Sequence, residues 1–490
     1  MNKKVASTSG WRAVPRRVAR VAAAVTLSLL VAGVAHGQAG NSPAPAKSDG
    51  SLTWNGITLY GIVDIGLQYQ TDGVAASDYF PAGTEAPIQK NSNGSITAIT
   101  PSNLSQSRIG LSGVEPLGMG DWSGVFRLET FFNPQSGNLS DALKSQVLNN
   151  GRALTAQSTN VDSSVAGQLF AGAAYAGFSS PTMGSLTFGR HVTPLADGIA
   201  KYDPMGASQA FSLIGFSGTT AGGGDTEDRR LDQSLKYTAK YGAVHLGALY
   251  QFSGARGSTN TAFQATVGMD FAGLSLDAYY AKKYNAVATA PLSAAQVSEL
   301  ATVCANSVKP PANPLGAQCY SASNSLAATI SDNETFAGMA LYKFGTLTLY
   351  GAYEHIDFAN PSNPYTPGTL TIGGYVLAYV NNAAFPQNKV LEVLWGGVKW
   401  AVTPAFELSA AYYGYRQNSF ATGKTAGCST KISAACKGTE NTGSVVLDYR
   451  FNKRFDAYLG SFFSSVQDGL ANGYINTSTL TTTTGVRFKF

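Results

Sequence analysis

The sequence has little charge. Asp, Glu, Lys and Arg make up 13% of its 490 residues, about half the share of roughly 25% usual in soluble globular proteins. Length alone would suggest two or three soluble domains, but such domains carry more surface charge than this chain supplies. Histidine is scarce, with four residues. His191, His245 and His355 stand isolated and no His-Glu-x-x-His occurs, which excludes that zinc-hydrolase signature. Cysteine is equally sparse at four, and no Cys-x-x-Cys is present, so no zinc ribbon or dithiol redox centre is expected. Walker loops and Gly-x-Gly-x-x-Gly turns before helices are missing too, which removes the common nucleotide-binding classes.

Long apolar runs are also lacking. A spanning helix needs roughly 20 apolar residues. The longest candidate, Val21 to Val34, has 14. It follows six basic residues (Lys3, Lys4, Arg12, Arg16, Arg17, Arg20) and precedes the small-x-small site Ala35-His36-Gly37. That order predicts a cleaved secretory signal over 1–37 and a mature chain over 38–490. The precursor carries 34 basic and 29 acidic residues. Loss of the six basic residues of the signal leaves a net charge of −1, so nothing points to nucleic acid.

What the chain does have is glycine (54), tyrosine (24) and phenylalanine (24), arranged with period two. "TTTTGVRFKF" puts Val486, Phe488 and Phe490 on one parity and Arg487 and Lys489 on the other, as a strand with one apolar and one cationic face would. Similar alternation predicts sixteen strands: 57–69, 106–114, 123–132, 167–178, 185–190, 229–239, 242–252, 262–271, 274–284, 334–344, 346–357, 389–400, 405–416, 441–451, 455–465 and 481–490. The alternation is blurred in 334–344. Connections alternate long and tight. Long ones fall near 70–105, 133–166, 191–228, 285–333, 358–388 and 417–440, with shorter members near 253–261 and 466–480. Tight ones include "GMGD", "SPTMG", "AKYG" and "FNKR". An outer-membrane barrel has this asymmetry, with short periplasmic turns and longer external loops. An even strand number lets the last strand pair with the first and abolish the sheet edges. The expectation is an all-β fold, a 16-stranded antiparallel transmembrane β-barrel. Cys304/Cys319 and Cys428/Cys436 form two local pairs in loop-like sequence, and an exported chain meets an oxidising compartment. Two loop-bracing disulfides are expected. No cofactor and no metal is expected.

The strand sequences resemble those of the Gram-negative general porins. "SQSRIGLSGVEPLGMGDWSGVFRLET" (105–130) is similar to the family's second and third strands, "TLYGIVDIGLQY" to its first and "RRLDQSLKY" to its sixth. "AGFSSPTMGSLTFGRHVTPLADGIAKYDPMG" (176–206) is similar to a hairpin followed by the inward-folded third loop. Ser112 stands where many relatives carry a base and Pro116 where many carry an acid. The loop lacks the Glu after Pro204, leaving Asp203 as its acid. The resemblance implies a water-filled channel for passive diffusion of ions and small hydrophilic solutes, a homotrimer in outer-membrane lipid, and no enzymatic role. It also implies that the terminal Phe490 is read by the barrel-assembly machinery.

The same resemblance, combined with strand parity, places a charged constriction. Arg108, Arg127, Arg230 and Lys236 share the lumenal parity of their strands, and Arg190 sits at the root of the third loop. Asp197 and Asp203 would face them, behind a short helix capped by Thr193 with Pro194 at its first position. The plainer reading makes these ordinary lumen charges paired with Glu129 and Asp232. A near balance of charge predicts weak selectivity, leaning to anions. "AGGGD" (221–225) would let the loop return to the wall, and a short helix over Asp141–Val147 would sit in a second loop that either latches a neighbouring subunit, as the resemblance implies, or is a plain surface loop. A substrate-specific channel narrowed by the loops at 285–333 and 358–388 is the alternative on the same scaffold. A barrel enzyme or adhesin is the third reading, but no Ser/His/acid constellation supports the enzyme.

Overall fold

The computed structural model describes residues 52–72, 94–140, 150–151, 168–214, 229–253, 261–306, 325–365, 370–372, 375–428, 433–472 and 475–490. The expected signal, the Asp141–Val147 helix, the 221–225 glycines and Cys319 lie outside the described residues.

Sixteen strands build the wall. They are β1 (Ile57–Gln70), β2 (Arg108–Pro116), β3 (Ser123–Asn133), β4 (Ala173–Ser180), β5 (Gly184–Val192), β6 (Arg230–Tyr241), β7 (Val244–Gln251), β8 (Ala262–Phe271), β9 (Leu274–Ala290), β10 (Leu326–Phe344), β11 (Leu347–Ala359), β12 (Lys389–Ala401), β13 (Phe406–Gln417), β14 (Gly438–Arg450), β15 (Phe455–Asp468) and β16 (Ser478–Lys489). Each pairs antiparallel with its sequence neighbours. β16 returns to β1, from Ile62↔Lys489 to Gln70↔Thr481, and closes the cylinder. The terminal residue completes the seam: the Phe490 amide donates to Gly61 O and the Gly61 amide to Phe490 O. Gly61 lacks the Cβ that would strike the Phe490 ring.

The apolar parity faces out. Leu111, Phe178, Phe188, Phe263, Val267, Phe336, Leu394, Tyr412, Phe463, Val486 and Phe488 are all exposed. In water that surface would aggregate; against hydrocarbon it is solvated. The tight turns gather at one end. There the Asp121 carboxylate accepts from Thr182 Oγ1 at 2.6 Å and Ser180 Oγ at 2.8 Å, and these bonds hold it below the usual carboxylate range.

Two departures from the sequence reading concern the long-loop end. β9 and β10 run longer than expected, to Ala290 and back from Leu326. They pair with each other beyond a bulge at Lys283/Ala286, and strand 375–381 adds in parallel to the far end of β10. Leu326, Ile330 and Leu377 pack on one side of this extension. On the other side Leu292 and Leu300, the latter in helix α2 (Ala294–Asn306), pack with Ala327 and Ala378. Strand 96–101 also pairs with the far half of β1. Among the cysteines, Cys428 and Cys436 are bonded, with Cα atoms 4.9 Å apart. The second expected disulfide would join Cys304, which falls within α2 and not in a loop, to Cys319. Because Cys319 is outside the described residues, that pairing stays an expectation.

Inside the barrel one half of the lining is apolar. Met339, Leu341, Ala352, Ile356, Val393, Trp395, Tyr413, Val446 and Phe462 point inward from β10–β15 and are buried. Against them lie Leu195, Ile199, Tyr202, Met205, Phe211, Leu213 and Ile214, from the segment between β5 and β6. This explains the blurred alternation of 334–344. One face of β10 meets lipid and the other an apolar plug, so both are greasy.

Candidate pore constriction

Helix α1 (Pro194–Tyr202) starts where the sequence places it. Thr193 Oγ1 accepts from the Ala196 amide at 3.2 Å, and Pro194 occupies the first turn. Its buried face (Leu195, Ile199, Tyr202) belongs to the apolar cluster. At its end Trp395 Nε1 donates to Tyr202 O at 3.2 Å, and Lys201 Nζ lies 3.4 Å from both Asp270 and Asp277. The helix is thus held to β8, β9 and β12.

Asp203 departs from expectation. It does not face the lumen but is 1% exposed. It accepts from the Met205 amide at 3.0 Å, the Ala207 amide at 2.8 Å and Tyr413 Oη at 2.6 Å. The chain must turn back after α1, with Ala207 in the left-handed region at φ 57°, and the carboxylate satisfies the amides that this turn orphans. Asp203→Ala should leave two amides and a buried phenol without an acceptor. The loss expected is about 1–3 kcal/mol per orphaned group, read as a lower unfolding midpoint of the refolded barrel. An unchanged midpoint would contradict this role.

Arg190, Asp197 and Lys236 form paired charges at the loop root. Arg190 is buried, with Nη1 2.6 Å from Asp232 and Nε donating to Ala171 O. Asp197 meets Lys236 at 2.6 Å, and Lys236 also donates to Val192 O. The first pair ties β5 to β6 and the second fastens α1 to β6, so neither faces its partner across water.

Arg108, Arg127 and Arg230 do come together. Ladder register sets Arg108 opposite Phe131, Gly110 opposite Glu129 and Ser112 opposite Arg127. Glu129 is almost fully buried; Arg127 Nη2 lies 2.6 Å and Arg108 Nη1 3.8 Å from it. Both guanidinium side chains remain about a third exposed, at 31% and 33%. Arg230 stacks on the Phe131 ring with Cζ 4.7 Å from the centroid and donates to Gly172 O. Tyr60 completes the group, giving Oη to Glu129 at 3.0 Å and receiving Arg127 Nε at 2.7 Å. Two glycines make the room. A Cβ on Gly110 would fall 2.2 Å from the Tyr60 ring, and one on Gly172 would fall 2.5 Å from Glu129 Oε1. The sequence reading missed Tyr60, although it shares the parity of Asp64 and Gln68. The two glycines carried no signal, because their role depends on which ring crosses them.

The lumen is therefore two-sided. β9–β15 and the loop form an apolar block, while β2, β3 and β6 present aromatic-backed arginines. Among the residues named, six cations (Arg108, Arg127, Arg190, Lys201, Arg230 and Lys236) stand against five carboxylates (Glu129, Asp197, Asp232, Asp270 and Asp277) once Asp203 is set aside as buried in its own turn.

A family model described as Gram-negative porin matches residues 21–366. The fold is similar to that of an anion-selective porin from Comamonas acidovorans, with a TM-score of 0.56 and 18% identity over 89% of this chain and 99% of that one. It is also similar to OmpT of Vibrio cholerae in a trimer form, with a TM-score of 0.52 and 13% identity over 89% and 99%. No curated protein matches the sequence.

Proposed function

The chain belongs to the Gram-negative porin family and forms an outer-membrane diffusion channel, and from that premise we propose how its lumen selects what passes. Ions and small hydrophilic solutes move through the gap between the arginine wall of β2, β3 and β6 and the loop segment seated on β9–β15. The observation that carries this reading is the gathering of Arg108 and Arg127 on the buried Glu129, with Arg230 beside them over the Phe131 ring. Two of these guanidiniums keep access to water, so the local field is positive and weakly favours anions. A porin of similar fold is named as anion-selective, which agrees with that sign. Backing by Tyr60 and Phe131 holds the guanidinium planes in place, so little ordering is needed when a solute arrives. No covalent step is involved. Residues 1–37 serve as the secretion signal, Phe490 as the assembly signal, and the channel works as a homotrimer, as the trimer form of a similar fold supports.

The test is single-channel conductance of the refolded protein in a planar bilayer under a tenfold salt gradient. Large steps in groups of three, with a small reversal potential of anionic sign, are the expected result. Small steps abolished by one solute would favour the substrate-specific reading instead. The packed extension of β9 and β10 at the long-loop mouth is the feature that supports that alternative.

A further inference from the structure

Two cations inside the barrel take no part in the arginine cluster, and both stand on β12. Lys389 begins the strand at the long-loop end; Lys399 lies at the tight-turn end, two residues before the last, Ala401. Both share the inward parity of Leu391, Val393 and Trp395, which are buried. The two lysines are themselves only half-buried. Among the described residues neither has a carboxylate within ion-pair distance or a hydrogen-bond acceptor. Each ammonium instead sits over an aromatic ring of β11: Lys389 Nζ is 4.6 Å from the Phe358 centroid, and Lys399 Nζ is 5.9 Å from that of Tyr350. The neighbouring acids are engaged elsewhere. Asp357 and Glu392, beside Lys389 in the ladder, fall on the lipid-facing parity of β11 and β12, and Glu392 meets His355 Nδ1 there at 2.8 Å. The charges that face Lys399 are Glu407, Asp203, Arg450 and Arg487. Glu407 holds Arg450 at 2.6 Å, Arg487 meets Asp456 at 3.0 Å, and Asp203 accepts from its own turn and from Tyr413.

The loop lies between the two lysines. Pro204 packs on Gly397, where a Cβ would fall 2.7 Å from the proline Cγ, and Gly206 reaches Lys399, where a Cβ would fall 3.9 Å from Nζ. The strand between them spans roughly 33 Å at about 3.3 Å per residue. That exceeds the Debye length of about 10 Å at 0.1 M salt, so each charge is felt only on its own side of the loop. A ring face holds an ammonium in place without neutralising it, and its three donors stay available to an anion. We propose that Lys389 and Lys399 are two further anion-binding stations, one on each side of the constriction, which concentrate small inorganic anions before and after the passage. The proposal rests on the reading of the arginine wall and the loop as that passage, because only then do the lysines flank it. One unit charge at contact raises the local concentration of a monovalent anion about fivefold in water. Averaged over the width of a vestibule, the effect on current is roughly twofold.

Single-channel current of the full-length refolded protein, at about pH 6 with about 0.1 M potassium chloride on both sides, tests the stations. Lys389→Gln and Lys399→Gln each remove charge from one end only. Each is expected to change the ratio of currents at equal positive and negative voltage by roughly twofold, the two in opposite senses. The double variant should then return to the wild-type ratio with smaller steps, and Lys389→Arg and Lys399→Arg should match wild type. At about 1 M salt, where the Debye length is about 3 Å, the differences should vanish. An unchanged ratio in both Gln variants overturns the proposal, and a change in one alone overturns the station at the other end. A change that survives high salt, or that the Arg variants share, also overturns it, since that marks an altered lumen shape and not a lost charge. The Arg108/Arg230 double alanine variant separates this proposal from the constriction reading. If its reversal potential matches wild type while the lysine variants alter the current ratio, the stations stand and the arginine assignment fails; the reverse pattern overturns the stations alone.

Discussion

Replacing Arg108 and Arg230 together by Ala is expected to reverse the proposed weak anion preference while the barrel still folds. Each guanidinium contributes about 1 kcal/mol to a monovalent ion passing at about 4 Å in water. Losing both should therefore change the anion-to-cation permeability ratio by roughly fivefold to thirtyfold, read as a shift of reversal potential towards cations under a salt gradient. The pair is chosen because neither residue is the main partner of the buried carboxylate. Arg127 stays 2.6 Å from Glu129 in the double variant, so that acid remains compensated. Arg127→Ala should behave differently. It leaves Glu129 with Arg108 at 3.8 Å and the Tyr60 hydroxyl, and stability should fall by about 3–5 kcal/mol, as when one member of a buried pair is removed. An unchanged reversal potential in the double variant would remove these arginines from the constriction.

Trp395→Ala should produce the largest structural effect on the passage. The side chain is 1% exposed at the centre of the apolar block. It also holds the end of α1 through its bond to Tyr202 O. Truncation should cost about 3–5 kcal/mol by cavity formation, and the orphaned carbonyl adds to that. The wall itself is held by β11 and β13 pairing, so the loop is expected to give way first. Larger and noisier conductance steps should follow. Leu394→Ala is the control: it lies on the same strand but faces lipid, 52% exposed, and its conductance should match wild type. Identical steps from both variants would mean that the loop does not bound the pore.

Much of the site could be read from the sequence because parity carries it. Arg108, Arg127 and Arg230 fall on lumenal positions of strands whose other face is apolar, and a period of two leaves no third choice. Thr193 and Pro194 mark a helix start by local chemistry alone. Asp203 could not be placed this way. Whether an acid after a helix reaches into water or folds back on its own turn depends on Tyr413, 210 residues away in sequence. The pairing of Asp197 with Lys236 and of Arg190 with Asp232 is likewise set by where the loop root docks, which strand periodicity does not encode.

The number of strands, their alternation of long and short connections and the outward apolar belt follow from the linear pattern, since each is a local consequence of side-chain period and turn chemistry. The division of the lumen does not. Met339, Trp395 and Phe462 read as further lipid-type residues until a segment from between β5 and β6 is laid against them. That Lys389 and Lys399 stand on either side of the loop is equally invisible along the chain. It follows from the docking of Pro204 on Gly397 between them. Local periodicity settles which side of a strand faces the lumen; only the closed barrel settles whether that face meets water or protein, because burial depends on contacts made between residues far apart in the chain.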